Sequence, residues 1–182
     1  VAQISILDVP EQTRSADVVR DALVAMDYQE VINYSFVDGA LEKDFGTADA
    51  QAIELLNPIA SSLAVMRTQL VGSLVQNLKT NLARSQTRVR VFEVAKVFHR
   101  DASIAASETT VPNIAQPLKL AGLAYGSAQP EQWASKTTEV DFYDVKGDLE
   151  RLFAPVLLTF ESVAHPCAHP GRCAQLILDG QN

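Results

Sequence analysis

Residues 87–99, "TRVRVFEVAKVFH", constrain the fold more than any other stretch of this chain. Side chains along a strand alternate between two faces, so Val89 and Val91 lie on one side while Phe92 and Val94 lie on the other. A strand that is apolar on both faces belongs in the middle of a sheet, covered from above and below. The cover is written into the neighbouring sequence. Leu70, Val71, Leu74, Val75, Leu78 and Leu82 recur at helical spacing just before the strand, with Thr68 as the cap. Gln76, Lys79, Thr80 and Arg84 fall on the opposite face of that helix.

The other elements follow from the same two periods. Ser15 caps a first helix, Asp17 favours its dipole, and Val18, Val19, Ala22, Leu23 and Met26 form its apolar stripe. Residues 30–37, "EVINYSFV", read as a strand broken by Asp38-Gly39. Residues 52–56, "AIELL", read as another, stopped by Asn57-Pro58 because proline excludes the helical region for the residue before it. Residues 102–116 form a small-residue loop and "LKLAGLAYG" a strand. Asp141 caps a helix whose apolar face is Phe142, Val145, Leu149, Leu152 and Phe153. "VLLTFESV" and "CAQLILD" are the last strands, and Asp179-Gly180 then signals a hairpin turn that would leave residues 174–179 at a sheet edge, or paired with a neighbouring molecule or an earlier strand. Strands in consecutive pairs, rather than alternating with helices, indicate an α+β fold with a largely antiparallel sheet. The expected organisation is an irregular lead-in over residues 1–12 and one domain over residues 13–182.

A chain of 182 residues folds around its own core without needing a metal or a disulfide. That bears on "HPCAHPGRC", residues 165–173, which hold both cysteines and two of the three histidines. The ligand types suit zinc, but the spacing does not match the usual pairs, and two prolines stiffen the backbone that would wrap the ion. A proline-bent turn between two strands is the expectation, with no metal site and with Cys173 packing as a small hydrophobe. Asp141, Asp144, Asp148 and Glu150 form a carboxylate run that reads as a helix cap and its partner rather than as catalytic groups. No apolar run reaches the roughly 18 residues that span a membrane, and no signal peptide is visible at the start. The missing initial methionine suggests a fragment of a longer, cytoplasmic protein.

The formal net charge is −7, yet residues 67–100 hold Arg67, Lys79, Arg84, Arg88, Arg90, Lys96 and Arg100 against one acid, Glu93. A basic segment in an acidic chain suits nucleic acid. From spacing alone, the favoured reading is a solvated helix face with salt bridges to the acidic remainder.

The run "LLNPIASSLAVMRTQLVGSLVQNLKTNLARSQTRVRVFEVAKVF" resembles the β subunits of bacterial phenylalanyl-tRNA synthetases. Asn57-Pro58-Ile59, Met66-Arg67-Thr68 opening a leucine-rich helix, Asn81 through Arg84, and Arg88 through Glu93 carry the likeness. "YQEVINYSFVD", "WASKTTEVDFYDVKGDLE" and "HPGRCA" extend it in the same order, from residue 13 to about residue 180. The resemblance implies a class II aminoacyl-tRNA synthetase-like antiparallel sheet flanked by helices, in a module that has lost catalysis. It implies an editing domain and a magnesium-ligand segment upstream, and an anticodon-binding domain downstream. It implies an α subunit as partner in an α2β2 enzyme, tRNA(Phe) as the charged substrate, ATP and magnesium for the whole enzyme, and no cofactor in this segment. Residues 15–37 are similar to the class II dimer-interface motif, which in this family packs α against β.

The loss of catalysis has a physical form. The class II pattern places an arginine two residues before the glutamate of this strand, where its planar, always-charged fork neutralises the ATP α-phosphate. With the glutamate at Glu93, that position is Val91. Arg90 is one residue away and so belongs to the other face of the strand. No residue is therefore expected to be catalytic, and Arg84, Arg88 and Arg90 are the candidates for contact with tRNA or the α subunit. Two other readings are an RNA-binding module using residues 67–100 and a free-standing amino-acid-adenylating enzyme, the latter weakened by the missing phosphate arginine.

Overall fold

The computed structural model describes residues 14–46, 52–169 and 171–178. Along the chain the elements run α1 (Ala16–Ala25), β1 (Gln29–Glu30), β2 (Phe36–Val37), α2 (Gly39–Phe45), β3 (Ile53–Glu54), β4 (Val65–Met66) and α3 (Val71–Ala83). There follow β5 (Val89–Lys96), β6 (His99–Arg100), β7 (Ile114–Ala115), β8 (Leu118–Tyr125), α4 (Phe142–Phe153), β9 (Leu158–Ser162) and β10 (Ala174–Leu178).

β5 is the centre, as its two apolar faces require. It pairs with β8 antiparallel over its whole length, from Val89↔Tyr125 to Lys96↔Leu118, and with β1 on its other edge. On one face Val89 and Val91 pack with Leu74 of α3, joined by Leu78, Val31, Ala121 and Leu123. On the other, Phe92 packs with Leu23 of α1, Tyr28 and Leu152 of α4, joined by Val19, Ala22, Met26 and Val94. The helix caps expected at Ser15 and Asp141 are in place, the latter as a reciprocal capping box with Asp144. Among the described residues there are three smaller antiparallel sheets besides, β2–β4–β3, β6–β7 and β9–β10.

Several expectations are corrected. Residues 30–37 do not form one strand: β1 runs parallel to β5, an exception to the antiparallel pattern, while β2 joins the separate sheet around β4. Thr68 does not cap α3; its amide and hydroxyl both donate to the Glu42 carboxylate, and Leu70 takes the cap position without a side-chain bond. Glu42 lies on α2, a helix not expected from the sequence, which starts where Asp38 accepts from the Ala40 amide. Val71 and Leu82 are exposed rather than part of the buried face of α3, because Leu70 and Leu74 point that face at the sheet. Val18 on α1 and Phe142 and Val145 on α4 are likewise exposed. Of residues 52–56 only Ile53–Glu54 is laddered, and residues 102–116 contribute β7 to a short hairpin. The lead-in and Asp179-Gly180 lie outside the described residues. Among those described, β10 is laddered to β9 alone, from Ala174↔Ser162 to Leu178↔Leu158.

Leu74 is 1% exposed at the contact between α3 and β5. Leu74→Ala is expected to lower unfolding free energy by about 2 to 5 kcal/mol through lost transfer energy and a residual cavity. Exposed Val71→Ala is expected to change it by less than about 1 kcal/mol. Denaturant unfolding of both variants checks the assignment of the buried face.

Candidate functional site

Charge enters the core of this domain at β5, once on each face. On the α3 side, Val91 is buried against Leu74 and Val89, and Glu93 lies two residues further along. Glu93 Oε1 accepts from Arg67 Nη1 at 2.8 Å and from the Asn33 amide at 3.2 Å, while Oε2 accepts from Asn33 Nδ2 at 2.9 Å. Arg67 Nε donates to the Lys96 carbonyl at 3.3 Å. Arg67 and Glu93 are each 2% exposed, so this is a buried ion pair in which Arg67 Nε and Nη1 and both Glu93 oxygens have hydrogen-bond partners.

On the α1–α4 side the corresponding charge is Arg90. Its Nη1 donates to Asp148 Oδ2 at 3.0 Å and its Nη2 to the Ala128 carbonyl at 3.1 Å, and its guanidinium lies 5.2 Å from the centre of the Tyr28 ring. The Tyr28 hydroxyl donates to the same Asp148 oxygen at 3.0 Å. Burial first, and then the hydrogen bond to and the charge of Asp148, push the Tyr28 phenol up to about 12, against the opposing pull of Arg90 and Arg88.

The three candidate arginines do not converge. Arg84 is exposed at the end of α3, where its backbone amide closes the helix on the Asn81 and Leu82 carbonyls. Arg88 pairs with Asp27 at 2.6 Å and donates to the Ser127 and Ala128 carbonyls. Arg90 is buried. Residues 67–100 therefore do not make a continuous basic surface: Arg67, Arg88 and Arg90 each face a carboxylate of the same chain. Tyr28, Asn33 and Asp148 were not singled out by sequence as site partners. The available signals were an asparagine inside an aromatic and β-branched run, and an aspartate two helical turns after the Asp141 cap.

The described residues of the 165–173 segment turn the chain at 166–168 and again at Gly171. The Ala168 amide bonds the His165 carbonyl, the Cys167 amide donates to His165 Nδ1 at 3.2 Å, and Cys167 Sγ reaches the Asp44 carbonyl at 3.2 Å. Gly171 has φ +75°, a conformation that favours glycine. Cys173 is half-buried beside β10. Among the described residues no three His, Cys, Asp or Glu side chains gather as metal ligands would.

The Tyr28 environment makes a pH prediction. An unfolded phenol ionises near pH 10, whereas the folded one holds its proton up to about 12. Stability from this group is full below about pH 10 and lost as pH rises towards about 12, since there the unfolded state has released a proton that the folded state keeps. Denaturant midpoints measured from pH 9 to 12 are expected to fall more steeply for the parent than for Tyr28→Phe.

A family model described as the phenylalanyl tRNA synthetase beta chain CLM domain matches residues 2–182. The phenylalanine–tRNA ligase beta subunit of Cupriavidus pinatubonensis is 51% identical over 181 residues, covering 100% of this chain and 22% of that protein. The beta subunit of Dechloromonas aromatica is 53% identical over 175 residues, covering 95% of this chain and 22% of that protein. The chain thus spans about a fifth of the length of these relatives. Among solved structures, a pyrrolysyl tRNA synthetase from Desulfitobacterium hafniense matches with a TM-score of 0.52 at 12% identity, over 81% of this chain and 48% of that one. An ATP phosphoribosyltransferase regulatory subunit/histidyl-tRNA synthetase from Bacillus halodurans matches with a TM-score of 0.50 at 11% identity, over 86% and 42%. Identities this low speak for the fold alone, which is the α+β fold of class II aminoacyl-tRNA synthetases. Family membership rests on the sequence itself: matched from residue 2 to its end and about half identical to curated relatives, the chain belongs to the phenylalanyl tRNA synthetase beta chain CLM domain family.

Proposed function

We propose that this chain is a non-catalytic synthetase-like module of a phenylalanine–tRNA ligase β subunit, and that its work is assembly with the α subunit. Its single strongest support is the state of position 91. The face of β5 where a phosphate-binding arginine would sit carries Val91, buried under Leu74, and the neighbouring Glu93 has both oxygens occupied by Arg67 and Asn33. A nucleotide would meet neither a free cation nor open space there. In this reading the α subunit forms the adenylate and charges tRNA(Phe), ATP and magnesium belong to the whole α2β2 enzyme, and this chain carries no cofactor. A cytoplasmic location goes with that role. Among the described residues no helix is long and apolar enough to cross a membrane.

An assembly role needs a surface. Ile32 and Tyr34 are 93% and 74% exposed, and Leu56 and Ile59 are 98% and 93% exposed. Exposed apolar groups are what a subunit contact would cover, and Ile32 and Tyr34 lie on the segment resembling a class II interface motif. Of the three candidate arginines, Arg84 is the one left exposed without a carboxylate partner among the described residues, and so the best placed to meet tRNA or the α subunit.

ATP–pyrophosphate exchange with phenylalanine is expected to stay at background for this chain alone, while mixing the whole β subunit with the α subunit yields a stable complex that charges tRNA(Phe). Exchange above background that disappears on mutating a residue of this chain would show that the module is an enzyme in its own right.

A further inference from the structure

We propose that Asn33 is a register pin: by binding Glu93 it turns Ile32 and Tyr34 outward and so presents the subunit-docking surface in one arrangement. The inference rests on the assembly reading above and names the residue that positions that surface.

The segment from Val31 to Ser35 lies between two sheets and belongs to neither. Its backbone leaves the central sheet after the Val31 amide bonds the Phe92 carbonyl at 2.8 Å. It enters the smaller sheet where the Arg67 amide bonds the Ser35 carbonyl at 3.0 Å. An extended segment without a continuous ladder has weakly specified register, and a slip of one residue exchanges its two faces. Such a slip would turn Ile32 or Tyr34 into the core and push Asn33 out.

Asn33 opposes this with two bonds to one carboxylate, from its backbone amide to Oε1 at 3.2 Å and from its side chain to Oε2 at 2.9 Å. The carboxylate is itself immobilised by Arg67, which follows Met66 of β4. Both sheets that flank the segment are therefore referred to the same fixed group. An amide is the right chemistry, since it donates to a carboxylate without adding charge. Aspartate has nearly the same shape but would bring a second buried negative charge against Glu93.

The outward surface has matching shape. A hollow of about 360 Å³ is lined by Asn33, Tyr34, Phe36 and Leu41, and another of about 240 Å³ by Leu56 and Ile59, and the two meet at Phe36 and Leu63. Asn33 thus lines the first hollow beside Tyr34.

The test uses the whole β subunit and its α subunit. Asn33→Asp is expected to raise the Kd for the α subunit by about tenfold or more, the scale of one lost hydrogen bond to a charged group. Amide hydrogen exchange is expected to speed up at residues 31–35 but not in α3 or β5, a local signature that a general loss of stability would not give. Should the aspartate variant fail to fold, Asn33→Ala carries the same expectation in direction, because it keeps only the backbone bond. Unchanged Kd and unchanged exchange at residues 31–35 would overturn the pin. The double variant Ile32→Glu/Tyr34→Ala separates the two ideas. If it weakens binding while the Asn33 variants do not, the docking surface stands and the pin falls. If it leaves binding unchanged, the surface lies elsewhere and the inference falls with it.

Discussion

β5 is buried on both faces and yet carries a charge on each, and the arrangement of the other elements follows from that. An unpaired charge in such a place costs several kcal/mol, so each one dictates what must come to meet it. Glu93 draws in Arg67 and Asn33, which brings the end of β4 and the segment after β1 against the same face. Arg90 draws in Asp148 and lies over Tyr28, which fixes the rotation of α4 and the turn after α1 on the opposite face. Apolar packing alone would hold these layers together in several nearly equivalent ways. Two oppositely placed ion pairs with directional hydrogen bonds leave one.

What the sequence revealed, and what it hid, divides along the distance between partners. β5 and β8 were readable because their patterns are long and local, and the caps at Ser15 and Asp141 because a cap bonds its own helix. Thr68 was misread for the opposite reason. It has the chemistry of a cap, but a buried carboxylate 26 positions away competes for the same hydroxyl and wins. The split of residues 30–37 is of the same kind, since each half pairs with a different distant strand and the sequence shows only one continuous β-prone run.

The basic segment shows the limit of counting charge. Seven cations against one acid describe residues 67–100 correctly, but Arg90 finds its carboxylate 58 positions away and Arg88 finds its own 61 positions away. Composition within a window cannot separate a solvated arginine from one paired inside the fold. The expectation of a phosphate-binding arginine at position 91 rests on family resemblance alone, because no spacing rule gives a valine in a strand any such meaning.

A strand face can serve as a site or as core, and on this chain the face bearing Val91 is built as core. α3 lies across it through Leu74, and α3 is itself packed by α2: a Cβ at Gly72 would come within 3.1 Å of Leu41 Cγ, so a side chain at residue 72 would require Leu41 to shift. α2 in turn holds the start of α3 through Glu42 and Thr68. Restoring an arginine at position 91 would therefore not restore a phosphate clamp. It would press a guanidinium against Leu74 and set a second buried cation beside a single carboxylate that Arg67 already pairs with. A nucleotide-sized space would require moving α3, and with it α2 and the Glu42–Thr68 contact. Under the proposed reading, the catalytic face and the docking face draw on the same residue, because Glu93, at the position of the class II strand's glutamate, is the group to which the docking segment is fastened. In that reading, freeing it for substrate would also release the docking surface.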